Sequence, residues 1–262
     1  MNAKDELMTV AASRLLRDDR VVFAGIGLPL VASTLAKRHR APNLTIILEG
    51  GIIGTTPHPG MLPSSTNELR AAAGAAMFTG ITDIFLLAQR GFFDYGFLGV
   101  AQIDPYGNIN TSVIGEPTRP TVRLPGSGGA NDIISLCNET LVVTTHEPRR
   151  FVERVDFVTS PGYLTGGAAR VEAGLVYGGP SHVVTDLALL DFEPTSKRMR
   201  VRALQPDVTL DEVRTATGFD LLVHDELAQL PAPSATELAM LRELTGESAD
   251  REPATQVSTV SR

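Results

Sequence analysis

The chain has 262 residues, 43% of them hydrophobic and 20% charged, with a net charge of −7, a composition ordinary for a folded protein. The acidic balance argues against a nucleic-acid partner, which would want a basic face, and no apolar stretch approaches the roughly 18 residues of a membrane helix. A single cysteine, Cys137, excludes an internal disulfide framework and a cysteine-built zinc site.

Met1-Asn2-Ala3-Lys4-Asp5-Glu6 has no basic region followed by an apolar core, so a cytoplasmic enzyme or binding protein is expected. Residues Asp5 to Arg17 place Leu7, Met8, Ala11, Leu15 and Leu16 at helical spacing. Val21 to Ala24 reads as a strand ending at Gly25, and Pro29 opens a second helix reaching about Arg38. Leu44 to Glu49 is the next strand. Asn67 to Met77 reads as an alanine-rich helix and Asp83 to Ala88 as a buried strand. Asn108 to Ile114, Leu141 to Thr145 and His182 to Leu190 add strands, and Met199 to Ala203 pairs as a late edge strand. Thr209 to Thr217 is helical, with Asp211 and Glu212 placed to meet the positive end of the helix dipole. Ser234 and Glu237 form a capping box for a last helix running to about Leu244. This alternation predicts an α/β fold, an open and largely parallel sheet with helices on both faces. A single domain over 1–245 is expected, followed by a polar, disordered tail over 246–262.

Glu49 is the most informative residue. It ends a short β-branched and aliphatic run and is followed by Gly50 and Gly51. Carboxyl ends of strands are where open α/β sheets bind ligands, and paired glycines permit a sharp turn and a close approach to the backbone. A carboxylate there serves as base, nucleophile or ligand to a sugar hydroxyl. The outline strand, Gly25-Ile26-Gly27, helix, strand, acid also suggests dinucleotide binding, but the third glycine position holds Leu30. Gly25 and Gly27 then mark a tight strand-to-helix turn that leaves room for a ligand to approach.

A second glycine cluster, Gly126-Ser127-Gly128-Gly129-Ala130, precedes Ile133 to Leu136, a stretch that Asn131 or Asp132 would cap. Small residues leave backbone N–H groups uncovered, as an oxyanion hole requires. The alternatives are a plain turn or a phosphate cradle, although the lysine and Ser/Thr of a P-loop are absent. His58 reads as a surface-loop histidine; His146 follows a strand, and its face is open between core and ligand end. Arg149 and Arg150 are either a solvated pair or contacts to the phosphates of a ligand. Cys137 lies in an apolar helical stretch and reads as a small buried hydrophobe.

Together these segments resemble the beta subunit of the family I coenzyme A transferases. The resemblance rests on Gly25 to Gly54 with its Glu-Gly-Gly, on the loop 126–130, on Gly96 to Asp104 and Tyr106 to Thr111, and on Arg150 to Gly162. The last three are similar to the glutaconate CoA-transferase beta branch. Leu48-Glu49-Gly50-Gly51 departs from relatives that carry Ser or Tyr before the glutamate and Ser, Val or Asn after it.

The resemblance implies that Glu49 is the nucleophile and that coenzyme A is substrate and part of a covalent glutamyl thioester. It implies oxyanion and substrate contacts at Gly128, Gly129 and Ala130. It also implies an alpha-subunit partner in a hetero-oligomer, an acyl-CoA and a small carboxylic acid as substrates, and no bound metal. Two other functions are weighed: an acyl-CoA hydrolase or decarboxylase on the same fold, and a non-catalytic ligand-sensing module.

Overall fold

The computed structural model describes residues 1–247, so the tail expected to be disordered lies, from residue 248 on, outside the described residues. In chain order the elements are α1 (Ala3–Leu15), β1 (Val21–Phe23), α2 (Leu28–His39), β2 (Thr45–Leu48), β3 (Ile52–Ile53), a 3-10 turn (Leu69–Ala72) and β4 (Met77–Phe78). There follow α3 (Ile81–Gln89), β5 (Tyr95–Leu98), β6 (Gln102–Ile103), β7 (Ile109–Asn110), β8 (Val113–Ile114), β9 (Val122–Arg123) and α4 (Ala130–Leu136). The remainder is β10 (Glu139–Val143), α5 (Ala169–Glu172), β11 (Pro180–Val184), β12 (Ala188–Phe192), β13 (Met199–Leu204), α6 (Leu210–Thr215), β14 (Leu222–Gln229) and α7 (Ala235–Thr245).

Ten strands form one sheet in the order β14-β13-β12-β11-β10-β5-β1-β2-β3-β4. Its centre, β11-β10-β5-β1-β2, is parallel throughout, and antiparallel pairs extend it on both sides. Period-two alternation sorts the side chains. Val22, Ala24, Ile46, Leu48, Tyr95, Phe97, Leu141 and Val143 share one core with Met8 of α1 and Leu30 of α2. Phe23 and Ile47 face the other way, onto Ile84 and Ala88 of α3, and Val142 and Leu98 pack with Ile134 of α4. Helices therefore cover both faces of the sheet. Since odd-numbered positions of β2 face α3, Glu49 leaves the strand on the α3 and α4 side.

Capping follows the local chemistry. The Asn2 side chain accepts from the Asp5 N–H, Pro29 occupies the first turn of α2, and Ser234 and Glu237 form the expected capping box on α7. Glu237 is also gripped by Arg14, at 2.8 and 2.7 Å, which ties α7 to α1.

Several expected elements differ. His182 to Leu190 is not one strand but parts of two antiparallel ones, β11 and β12, and Asn108 to Ile114 is divided between β7 and β8, which belong to two small separate sheets. Asn67 to Met77 is not a helix beyond one 3-10 turn, because its carbonyls are spent elsewhere. The Thr55 hydroxyl donates to Ala71, the Thr56 N–H donates to Ala73, and Ala76 itself donates to Ile53. Tertiary partners override alanine's propensity. Asp83 to Ala88 is part of helix α3 and not a strand: Asp83 accepts from the Gly80 N–H, and the buried residues Ile84 and Ala88 lie four apart on one face. The sheet position is taken by β5, where Gly96 gives Ile133 of α4 and Cys137 just after it room to pack. Residues 199–204 are interior to the sheet, with the polar strand β14 outside them. Finally, α4 is capped by Gly129, with no side-chain bond from Asn131 or Asp132.

Candidate active site at the carboxyl ends of the central strands

β1 pairs with β2 through Phe23 and Ile47, with β5 through Phe23 and Gly96, and β5 pairs with β10 through Leu98 and Val142. The parallel register brings the carboxyl ends of four strands side by side, where the chain departs at Glu49, Gly25, Gly99 and Thr144. Among the described residues, no atom lies within 4 Å of where a Cβ would sit on Gly25, Gly27 or Gly99. Gly27, with φ +83°, makes the turn into α2 that an L side chain resists. These three glycines leave open space at the strand ends. Gly99 is not among the residues that sequence alone points to, though it lies within a segment carrying the family resemblance.

Gly50 and Gly51 behave differently. A Cβ on Gly50 would overlap Asn67 Oδ1 and the Thr66 carbonyl, and one on Gly51 would overlap the Thr79 carbonyl. The turn expected there is present, with Gly51 at φ +98°. The expected room for a ligand is filled by the chain's own backbone.

The second glycine cluster meets Glu49. Thr111 anchors it: the Gly126 N–H donates to the Thr111 carbonyl at 2.9 Å and the Thr111 hydroxyl donates back to the Gly126 carbonyl at 2.9 Å. The Ala130 N–H is occupied, donating to the Ser127 carbonyl at 2.9 Å, so the expected donor at Ala130 is withdrawn into the turn. Among the described residues, the N–H groups of Gly128 and Gly129 meet no acceptor. A Cβ on Gly129 would sit 2.9 Å from Glu49 Oε1 and 2.9 Å from Phe85 Cζ. A Cβ at 129 would therefore have to displace the ends of both side chains. Among the described residues, the half-buried Glu49 carboxylate accepts no hydrogen bond and joins no ion pair. In contrast, Glu212 and Glu237 are fully engaged in caps.

Phe85 is hidden from sequence reasoning because its segment reads as a strand. The ring belongs to α3 and stands edge-on to Phe23, centroids 5.9 Å apart.

The remaining candidate residues fall outside this cluster. His58 is exposed on a loop. His146 lies at the ligand end of the sheet but is turned inward and buried, with Nδ1 3.1 Å from Thr185 Oγ1, Nε2 3.0 Å from Thr217 Oγ1, and its ring stacked on Phe151 at 4.0 Å. Burial pushes this imidazole down to about 4, against the opposing pull of Asp186. Arg149 is exposed and paired with Glu147. Arg150 turns inward and donates to the Val100 carbonyl at 2.5 Å. Cys137 is buried, and burial pushes its thiol up to about 12. Among the described residues, no helix is long and apolar enough to cross a membrane.

Comparison with known proteins identifies the family. The family model for coenzyme A transferase matches residues 6–216. The chain is 40% identical over 245 residues, 94% of its length and 94% of the relative's, to the beta subunit of the 3-oxoadipate CoA-transferase of Pseudomonas knackmussii. It is 38% identical over 247 residues to the beta subunit of the glutaconate CoA-transferase of Acidaminococcus fermentans, covering 91% of this chain and 90% of that one. The crystal structure of glutaconate coenzyme A-transferase from Acidaminococcus fermentans matches with a TM-score of 0.87 at 33% identity, over 96% of this chain and 98% of that chain. With the family model, the relatives and the fold in agreement, this chain belongs to the coenzyme A transferase family, as a beta subunit.

Proposed function

We propose that Glu49 is the nucleophile of a CoA-transferase acting between an acyl-CoA and a small carboxylic acid. The observation that carries this is an unengaged carboxylate beside two uncommitted N–H groups, those of Gly128 and Gly129. A Glu49 oxygen attacks the thioester carbonyl of the acyl-CoA; the C–S bond breaks and CoA leaves as thiolate, giving a mixed anhydride. The thiolate then attacks the glutamyl carbonyl and expels the acyl group as its carboxylate, leaving Glu49 as a CoA thioester. The second acid reverses both steps, and Glu49 returns unchanged. Splitting one transfer into two exchanges is the logic of covalent catalysis. Each tetrahedral intermediate carries an oxyanion for the two N–H groups, and losing one such donor costs on the order of 10²-fold in rate. The names of the two relatives suggest the class to try first, a short dicarboxylic acid.

The site is completed by an alpha subunit in this reading. Beside the Glu49 turn, the edge strand β4 holds Thr79 against Gly51, at 2.8 Å from N–H to carbonyl, and leaves Met77, Phe78 and Ile81 more than half exposed. Edge strands and contiguous apolar patches of this kind are normally covered by a partner. The assembled αβ enzyme, incubated with acyl-CoA and then with borohydride or hydroxylamine, should carry its modification at Glu49 by mass spectrometry. Active enzyme with an unmodified Glu49 would reject the covalent reading.

A further inference from the structure

We infer that Phe85 is the water barrier of the site, shielding the Glu49 thioester from a groove that would otherwise feed it solvent; this rests on the covalent reading of Glu49. The groove runs between α3 and α4, encloses about 390 Å³, and is lined by Thr82, Phe85, Leu86, Gln89, Asp132 and Leu136. Its lining is mixed, and Thr82, Gln89 and Asp132 give water polar partners there. Phe85 belongs to this lining, and its Cζ also lies 2.9 Å from the point beside Gly129 that Glu49 Oε1 approaches to 2.9 Å. One ring therefore borders both the groove and the space beside the carboxylate. The ring is held from behind: Phe85 stands edge-on to Phe23, and Phe23 stands edge-on to Phe93 at 5.4 Å, with Phe23 and Phe93 buried. A two-rotor aromatic backed by a buried aromatic stack is a rigid wall.

The chemistry gives that wall a use. Water attacking the glutamyl carbonyl breaks the C–S bond; CoA leaves as thiolate and takes one proton, the other goes to solvent, and Glu49 returns as carboxylate. The outcome is hydrolysis in place of transfer. Excluding water from reactive acyl intermediates is a recurring task of enclosed sites. Nothing about the nucleophile itself prevents this side reaction, so on the face toward this groove the exclusion falls to Phe85.

The test uses the αβ enzyme, loaded with acyl-CoA, desalted, and followed by intact mass without acceptor acid. The Glu49 thioester should decay roughly tenfold faster in Phe85→Ala than in wild type, with transfer slowed less than hydrolysis is raised. Phe85→Leu should restore most of the lifetime. Leu86→Ala, which widens the outer groove at a half-exposed position, should leave it unchanged. Should Phe85→Ala not assemble, Phe85→Val keeps an apolar side chain at the position but is too short to reach Gly129 and is read the same way. Equal thioester lifetimes in wild type and the shortened variants would overturn the role of Phe85 alone. Equal acceleration by Leu86→Ala would also overturn it, as general loosening. A wild-type enzyme that transfers CoA without forming any Glu49 thioester would remove the covalent reading, and the barrier with it.

Discussion

Glu49 and Gly129 are in contact across the gap between β2 and α4, close enough that a single added methyl group on Gly129 would press on the carboxylate at 2.9 Å. Gly129→Ala should accordingly displace Glu49 or Phe85 and reduce transfer by at least about 10²-fold, since misplacing a reacting atom by about 1 Å has that cost. Stability should change little, because φ at Gly129 is −80° and alanine accepts it. Gly128→Ala separates the two effects. Its Cβ would enter open space, but φ is +49°, so a loss of about 1 kcal/mol in stability is expected with a smaller loss of rate. Turnover and thermal unfolding of both variants decide the matter; a fully active Gly129→Ala enzyme would contradict the geometry.

Glu49→Gln should abolish transfer while leaving the melting temperature near wild type, because the side chain makes no hydrogen bond or ion pair among the described residues and contributes little packing. Glu49→Asp withdraws the reacting oxygens by about 1 Å and should lose on the order of 10²-fold. Near-wild-type turnover in folded Glu49→Gln would end the nucleophile assignment.

The central fold was legible because β1, β2 and β10 are short apolar runs and α1, α2 and α7 carry caps and periodicity that point the same way. The site was half legible for a related reason. Glu49 announces itself as a carboxylate after an apolar strand, and 126–130 as a loop with bare backbone. That the two meet depends on the stacking of α3 and α4 on one face, which local pattern does not encode. Ile81 to Gln89 is apolar enough to read as strand or helix, and reading it as a strand hid Phe85. The alanines of 67–77 misled because their backbone groups are claimed by Thr55 and its neighbours, partners distant in sequence.

Phe78→Ser tests the partner face. The side chain is 64% exposed on the edge strand, so the isolated chain should keep its stability within about 0.5 kcal/mol. Assembly with the alpha subunit should weaken by tenfold or more, as expected for an aromatic anchor at an interface. Analytical ultracentrifugation of the mixed subunits reads this out directly. Unchanged assembly would place the interface elsewhere.

His146 sets an acid limit on stability. Burial holds the folded imidazole neutral down to about 4, while the unfolded chain takes up its proton near the ordinary value of 6.5. Between those two values the unfolded state binds more protons than the folded one, so stability rises with pH across the window. Equivalently, stability is intact above about 6.5 and falls as pH drops toward 4, below which the loss from this group is complete. A shift of this size corresponds to roughly 3 kcal/mol. His146→Gln keeps a polar group for one of the two threonine hydroxyls and cannot titrate. That variant should be less stable at neutral pH, through lost packing on Phe151, but flat between pH 6.5 and 4. Denaturant unfolding of both chains across this range provides the comparison, and an equally steep decline in His146→Gln would assign the acid sensitivity to other groups.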